Sequence, residues 1–230
     1  LFRSLLGDLD TAFRGYENLD EQVRGLDRFG EQAHDIISSP TTRNAFDLSL
    51  EKTSESTRFG RHEFGQSLLL ASRLIEAGVH FVTVRLRPAE FDFDTHLDNF
   101  SKLSALLPPF DKGLASLIDR LKERGLFRST AIMVAGEFGR TPKINAQGGR
   151  DHWARAMFAL MAGGDVQGGQ TIGETDKLAG EPVGQGYSPE DLAASFFQNI
   201  GIDPQTEFHA NVGRPVTLVR DGKPISQLFS

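Results

Sequence analysis

Asp94-Thr95-His96, with Asp98 nearby, places a carboxylate and an imidazole on alternate residues of one short segment. A second segment, GEFGRTPKINAQGGRDHW from Gly136 to Trp153, gathers Glu137, Arg140, Asp151 and His152. Alternate residues of an extended segment point to the same side, so Asp94 and His96 can approach one cation. Hard divalent cations prefer carboxylate oxygen, whereas zinc, manganese and iron also accept imidazole nitrogen. A mixed set of Asp, His and Glu therefore fits zinc or manganese better than calcium. The candidate metal ligands are Asp94, His96, Glu137, Asp151 and His152. Arg140 offers a two-pronged grip for phosphate, sulfate or carboxylate, and a salt bridge to Glu137 is the plain structural alternative. An Asp-x-His in a loop is also commonly a hydrogen-bonded turn, so a polar network without metal stays open beside the metal site.

Other polar residues carry weaker signals. His62 is expected to cap or flank a helix start, and His34, His80 and His209 are expected to be structural. Gly163-Gly164 and Gly168-Gly169 lack the spacing of a phosphate-cradling loop and read as turns. Trp153 is either a pocket wall or core. Ser67, Ser188 and Thr95 carry hydroxyls, but none lies in a Gly-x-Ser-x-Gly elbow.

The elements that must position these residues follow from periodicity. Apolar residues recur at helical spacing from Leu5 to Ile37, interrupted by Gly15, Gly25 and Gly30, and predict one or two amphipathic helices. Pro40 separates them from a short helix around Thr42 to Leu50. A stronger helix is predicted from Arg61 to Ala77, with Gly78 as its stop, before a strand from Val79 to Leu86. A helix from Leu97 to Glu123, interrupted at Pro108 and Pro109, precedes a strand from Ala131 to Ala135. Ala156 to Ala162 is a third apolar run. Ser188, Pro189 and Asp191 start a helix to about Ile200, and Pro215 to Val219 gives a final edge strand. Alternating helices and strands imply a parallel sheet, and such sheets bind ligands beyond the carboxyl ends of their strands. Glu137 immediately follows one predicted strand, and Asp94 and His96 follow another by a longer loop.

The chain of 230 residues contains no repeat or linker and is expected to form a single α/β domain over residues 1–230. Its net charge of -6 argues against a general nucleic-acid binder. The absence of cysteine excludes disulfides, zinc-thiolate sites and a cysteine nucleophile, while leaving the redox compartment open. The apolar runs are too short to span a bilayer. Residue 1 is Leu, with no basic-then-apolar leader, so the visible start is expected to be a processing product or a fragment boundary.

The blocks GRHEFGQSLLLASRLIEAGVHFVTV, DTHLDNF, GEFGRTPKIN, GRDHW and GGQTIGETD occur in this order. Together they resemble a bacterial family, domain of unknown function fifteen-oh-one, placed in the alkaline phosphatase and sulfatase-like superfamily. The resemblance runs from about Ala45 to the C-terminus. It implies an α/β, alkaline-phosphatase-like three-layer sandwich with a central, mostly parallel sheet, of which this chain would be only the C-terminal part. It also implies a site of one or two divalent metals that activates a nucleophile and cleaves phosphate or sulfate esters. Asp94 and His96 would bind one metal, Glu137 would stand in the place of the acidic ligand after the next strand, and His152, with Asp151 beside it, would be the late His ligand. Arg140 would be an anion clamp.

Two departures accompany the resemblance. Many superfamily enzymes have Asp-His where this chain has Glu137-Phe138, and Phe138 cannot coordinate a metal. Phe91-Asp92-Phe93 stands where relatives often show a Gly-Gly-Trp-like lead. The resemblance places the superfamily nucleophile upstream of these motifs, and it is expected to lie outside this chain. Full-length members resemble exported, periplasmic proteins, often with a twin-arginine signal. The expected function is thus the C-terminal portion of an exported metal-dependent hydrolase. The alternative is a non-catalytic exported binding or surface protein that keeps the scaffold with at most a structural metal.

Overall fold

The computed structural model describes residues 30–31, 39–85, 93–184, 186–209 and 215–230. The helices expected over Leu5 to Ile37 lie outside these residues, apart from Gly30 and Glu31, which are helical. Residues up to Leu50 form one unit and Glu51–Ser230 another. In the first, Pro40 occupies the start of helix α1 (Pro40–Phe46), where its missing N–H costs no hydrogen bond. A 3-10 turn, Leu48–Leu50, follows, held by the Asp47 carboxylate, which accepts from the Ser49 amide at 3.0 Å and its hydroxyl at 2.6 Å.

The second unit is built on helices α2 (Thr53–Phe59), α3 (Glu63–Glu76) and α4 (Asn99–Glu123). The predicted helix ending near Gly78 is α3. His62 caps it, with Nδ1 accepting from the Gly65 amide at 3.1 Å, and Gly78 takes the left-handed conformation that a helix stop requires. Phe59, Leu68, Leu69, Ala71, Leu117 and Leu121 form the buried apolar contact of these helices. Gly113 lets α4 approach α3 closely, because a Cβ there would sit 2.9 Å from Leu68 Cδ1.

The same helices are joined by charge. Arg120, only 2% exposed, donates to Glu76 Oε1 at 2.7 Å, to Glu51 Oε1 at 2.9 Å and to Glu55 Oε2 at 3.3 Å, while Arg73 donates to the same Glu51 Oε1 at 2.5 Å. Burial alone would push protons off Arg120, but its bonds to Glu51 and Glu76 raise its pKa instead. The bond from Arg120 lowers the Glu51 carboxyl to about 2, against burial and with help from Arg73. A guanidinium with all its donors used can be buried, whereas one deprived of its carboxylates could not.

Helix α4 runs through Pro108 and Pro109 without the predicted interruption. The two prolines leave the carbonyls of Ser104 and Ala105 without helical donors, and both residues are exposed, so water can take those bonds. The chain then forms β1 (Ile132–Ala135), β2 (Gly139–Arg140), β3 (His152–Trp153), β4 (Ala159–Ala162), helix α5 (Pro189–Asn199), β5 (Glu207–His209) and β6 (Pro215–Thr217). Among the described residues the strands pair in twos and antiparallel: β1 with β4, β2 with β3 and β5 with β6. Residues 79–85, where a strand is predicted, carry no ladder, although exposure alternates from Val82 to Arg85. Alternation prepares a face for burial but does not supply the partner that makes a strand. Helix α5 begins as predicted, in a capping box of Ser188 and Asp191. Among the described residues no helix is long and apolar enough to cross a membrane.

The depressed Glu51 carboxyl gives a testable acid limb. Its contribution is fully present above the unfolded value of about 4.5 and is lost as pH falls towards about 2. Glu51→Gln is expected to lower unfolding free energy at pH 7 by about 3 kcal/mol. In urea unfolding between pH 7 and pH 2, the wild-type and variant curves should converge at the acid end; parallel curves would remove Glu51 from the acid limb.

Candidate metal centre

The two candidate loops meet through main chain. Residues 95–99 lie along residues 145–150: the Arg150 amide donates to the Thr95 carbonyl at 2.9 Å, the Asn99 amide to the Gly148 carbonyl at 3.0 Å and the Asp98 amide to the Gln147 carbonyl at 3.2 Å. Gly149 makes the approach possible, since a Cβ there would fall 2.0 Å from the His96 carbonyl carbon and oxygen. Beneath this seam the buried Thr95 hydroxyl donates to Asn99 Oδ1 at 2.6 Å, so it is committed to the scaffold rather than to a reaction. Asp98 adopts a left-handed conformation, φ 51°, where the loop turns into α4.

On the other loop, β2 and β3 form a short ribbon that sets Arg140 directly opposite His152. Gly139 is obligatory there, because a Cβ would lie 1.6 Å from the Ala156 carbonyl oxygen. Thr141 fixes the ribbon's far side: its amide donates to the Asp151 carbonyl at 2.8 Å and its hydroxyl accepts from the Asp151 amide at 3.0 Å.

These constraints bring Asp94, His96 and His152 into one group whose ligand atoms lie within 4.8 Å of one another. Asp94 Oδ1 is 3.0 Å from His96 Nε2 and 3.1 Å from His152 Nε2, and the imidazole nitrogens are 3.1 Å apart. The triangle is nearly equilateral. Tetrahedral ligands held about 2.0–2.1 Å from zinc stand about 3.3 Å apart, so the donor spacing and chemistry both fit such an ion. All three side chains are partly exposed, so a dissolved ligand can reach them.

Asp151 plays a different part from the three. Its Oδ1 lies 3.0 Å from His96 Nδ1, so a neutral His96 that carries its proton there would leave Nε2, which faces Asp94 and His152, free to bind a cation. The bond from His96 and then that from Asn145 hold the Asp151 carboxyl below its ordinary value. Burial would raise the Asp94 carboxyl, but the bonds from Arg140 and His152, with the nearby charges of Arg140 and His96, hold it low. Glu137, the remaining candidate, is exposed and is not in the three-residue group. Arg140 pairs with Asp94 Oδ1, the very oxygen the imidazoles share, rather than with Glu137. Phe138 lies against the His152 ring, centroids 4.3 Å apart, and under the Arg140 guanidinium at 5.8 Å.

Asn145 was not singled out by its sequence, yet it ties both halves together. Its amide nitrogen donates to the His96 carbonyl at 2.9 Å and to Asp151 Oδ1 at 3.1 Å, while its oxygen accepts from the amides of Gln147 and Gly149. The available signal was its place at the end of GEFGRTPKIN, just before the glycine pair that touches the other loop. Trp153, left open between wall and core, donates to the Gly180 carbonyl at 2.6 Å and anchors the glycine-rich stretch.

The profile of a family described as "Protein of unknown function (DUF1501)" matches residues 3–229. An aminomethyltransferase of Streptomyces coelicolor is 30% identical over 109 residues, which is 45% of this chain and 29% of that protein. The chain thus spans under a third of that relative's length. No solved structure matches the chain.

Gly149→Ala is expected to force the seam apart and to destabilise the protein by about 2 kcal/mol. It should also separate His96 from His152, weakening zinc binding measured by competition with a chromophoric chelator. Unchanged stability and unchanged zinc affinity would show that the close approach is not what assembles the group.

Proposed function

We propose that this chain, which belongs to the DUF1501 family, is the part of an exported metal-dependent hydrolase that holds a zinc or manganese ion and works on phosphate or sulfate esters. The observation that carries this reading is the triangle of Asp94 Oδ1, His96 Nε2 and His152 Nε2, with the mixed oxygen and nitrogen donors that such ions accept. When bound, the ion would polarise the ester oxygen and lower the pKa of a nucleophile. The chain's own residues supply the rest. Asp151 keeps the His96 proton on Nδ1, Asn145 fixes Asp151, and Arg140 stands beside the group with a guanidinium suited to an anionic ester. The α/β sandwich with a central, mostly parallel sheet belongs to the same proposal, as does export, to which a chain without cysteine is indifferent.

A second reading, a non-catalytic binding or surface protein with a structural metal, draws on Phe138. Its apolar ring covers one flank of His152 where the superfamily resemblance would place a further ligand. The two readings separate on stability and turnover. A structural metal predicts that chelation lowers the melting temperature while aryl esters remain uncleaved.

For the hydrolase, purified full-length protein is expected to contain zinc or manganese by elemental analysis and to turn over aryl phosphate or aryl sulfate. His96→Ala and His152→Ala should each weaken metal binding at least about a hundredfold, and Asp151→Asn by about tenfold to a hundredfold. Absence of metal together with absence of turnover would end the hydrolase reading.

A further inference from the structure

We propose that Arg140 is a latch on the metal group: it competes with the cation for Asp94 and, once displaced, becomes available to bind the anionic group of a ligand. The proposal rests on the metal-centre reading above and adds a regulation of that same site.

The argument begins at one atom. Asp94 Oδ1 accepts from Arg140 Nη1 and lies 3.0 Å from His96 Nε2 and 3.1 Å from His152 Nε2. It is therefore the point where a guanidinium and two imidazoles already converge, and the corner of the triangle a cation would use. Asp94 Oδ1 already meets Arg140 Nη1 and two imidazole nitrogens, more partners than its roughly two lone-pair sites can serve, so a metal bond to that oxygen contends with the Arg140 donor. The two cations would also stand within a few ångströms of each other at a partly desolvated site, where like charges repel. Arg140 thus supplies positive charge to the cluster in the arrangement seen here.

The guanidinium has somewhere to go. Its ribbon position is fixed by the pairing of Arg140 with His152, but its side chain is partly exposed, 26%, and lies over the Phe138 ring. Phe138 offers a face on which the cation can rest while its donors turn outward. Thus Phe138, which cannot be a ligand, fits a role as the pivot of Arg140. Coupling follows by linkage: a bound anion that engages Arg140 draws it from Asp94 and favours the metal, and the metal favours the anion by the same factor.

The test measures binding rather than turnover, using zinc and inorganic phosphate with the wild-type protein, Arg140→Gln and Arg140→Lys. Loss of a charge-assisted competitor should tighten zinc about tenfold in Arg140→Gln, with Arg140→Lys near wild type. Zinc-loaded wild type should bind phosphate about tenfold more tightly than zinc-loaded Arg140→Gln. Unchanged or weaker zinc binding in a folded Arg140→Gln protein overturns the latch and assigns Arg140 to orienting Asp94. Equal phosphate affinity in the two zinc-loaded proteins overturns the anion half. Zinc binding to none of the proteins overturns the metal site itself and the latch with it.

Discussion

The seam between residues 95–99 and 145–150 is the constraint on which the candidate centre depends. Two surface loops cannot hold side chains to within tenths of an ångström unless their main chains are fixed to one another, and here amide-to-carbonyl bonds cross the seam at 2.9 to 3.2 Å. Gly149 sets the distance of closest approach, and Asn145 bonds to both sides of it. Removing side-chain bulk at one position thus determines where an imidazole stands on another loop.

Behind the seam, α4 carries the constraint into the body of the unit. Its first residue, Asn99, takes the buried Thr95 hydroxyl at one end, and near the other end Arg120 is enclosed by carboxylates from α2, from α3 and from Glu51, two residues before α2. Satisfied donors allow a charge to be buried, and a fully satisfied buried network rigidifies the helices it joins. A loop seated on a helix held in this way inherits its rigidity. That is the support a group of close, partly exposed polar atoms needs if it is to bind anything with a defined geometry.

At the centre itself, electrostatics and shape act on the same few atoms. Asp94, with one oxygen shared by a guanidinium and two imidazoles, has its carboxyl held low against desolvation, and Asp151 approaches His96 Nδ1 from outside the group. Phe138 contributes no donor, yet it bounds His152 on one side and underlies Arg140 on the other. This apolar residue therefore shapes the group through contact alone.

Local sequence signals determined the elements whose causes are local. Ser188, Pro189 and Asp191 specify the start of α5, His62 caps α3, and Asp94, His96 and His152 are recognisable as donors by type and spacing. Other outcomes required partners distant in the chain. Residues 79–85 alternate as a strand but have no ladder among the described residues, and α4 passes its prolines because the affected carbonyls face solvent. The division of labour at the site was likewise tertiary: Asp151 became the support of His96, Arg140 turned to Asp94 instead of Glu137, and Asn145 acquired its role only when both loops met. Residue type sets what an atom can donate or accept, but which atom lies within 3 Å of it is fixed by main-chain contacts between segments some fifty residues apart, and no local pattern encodes that distance.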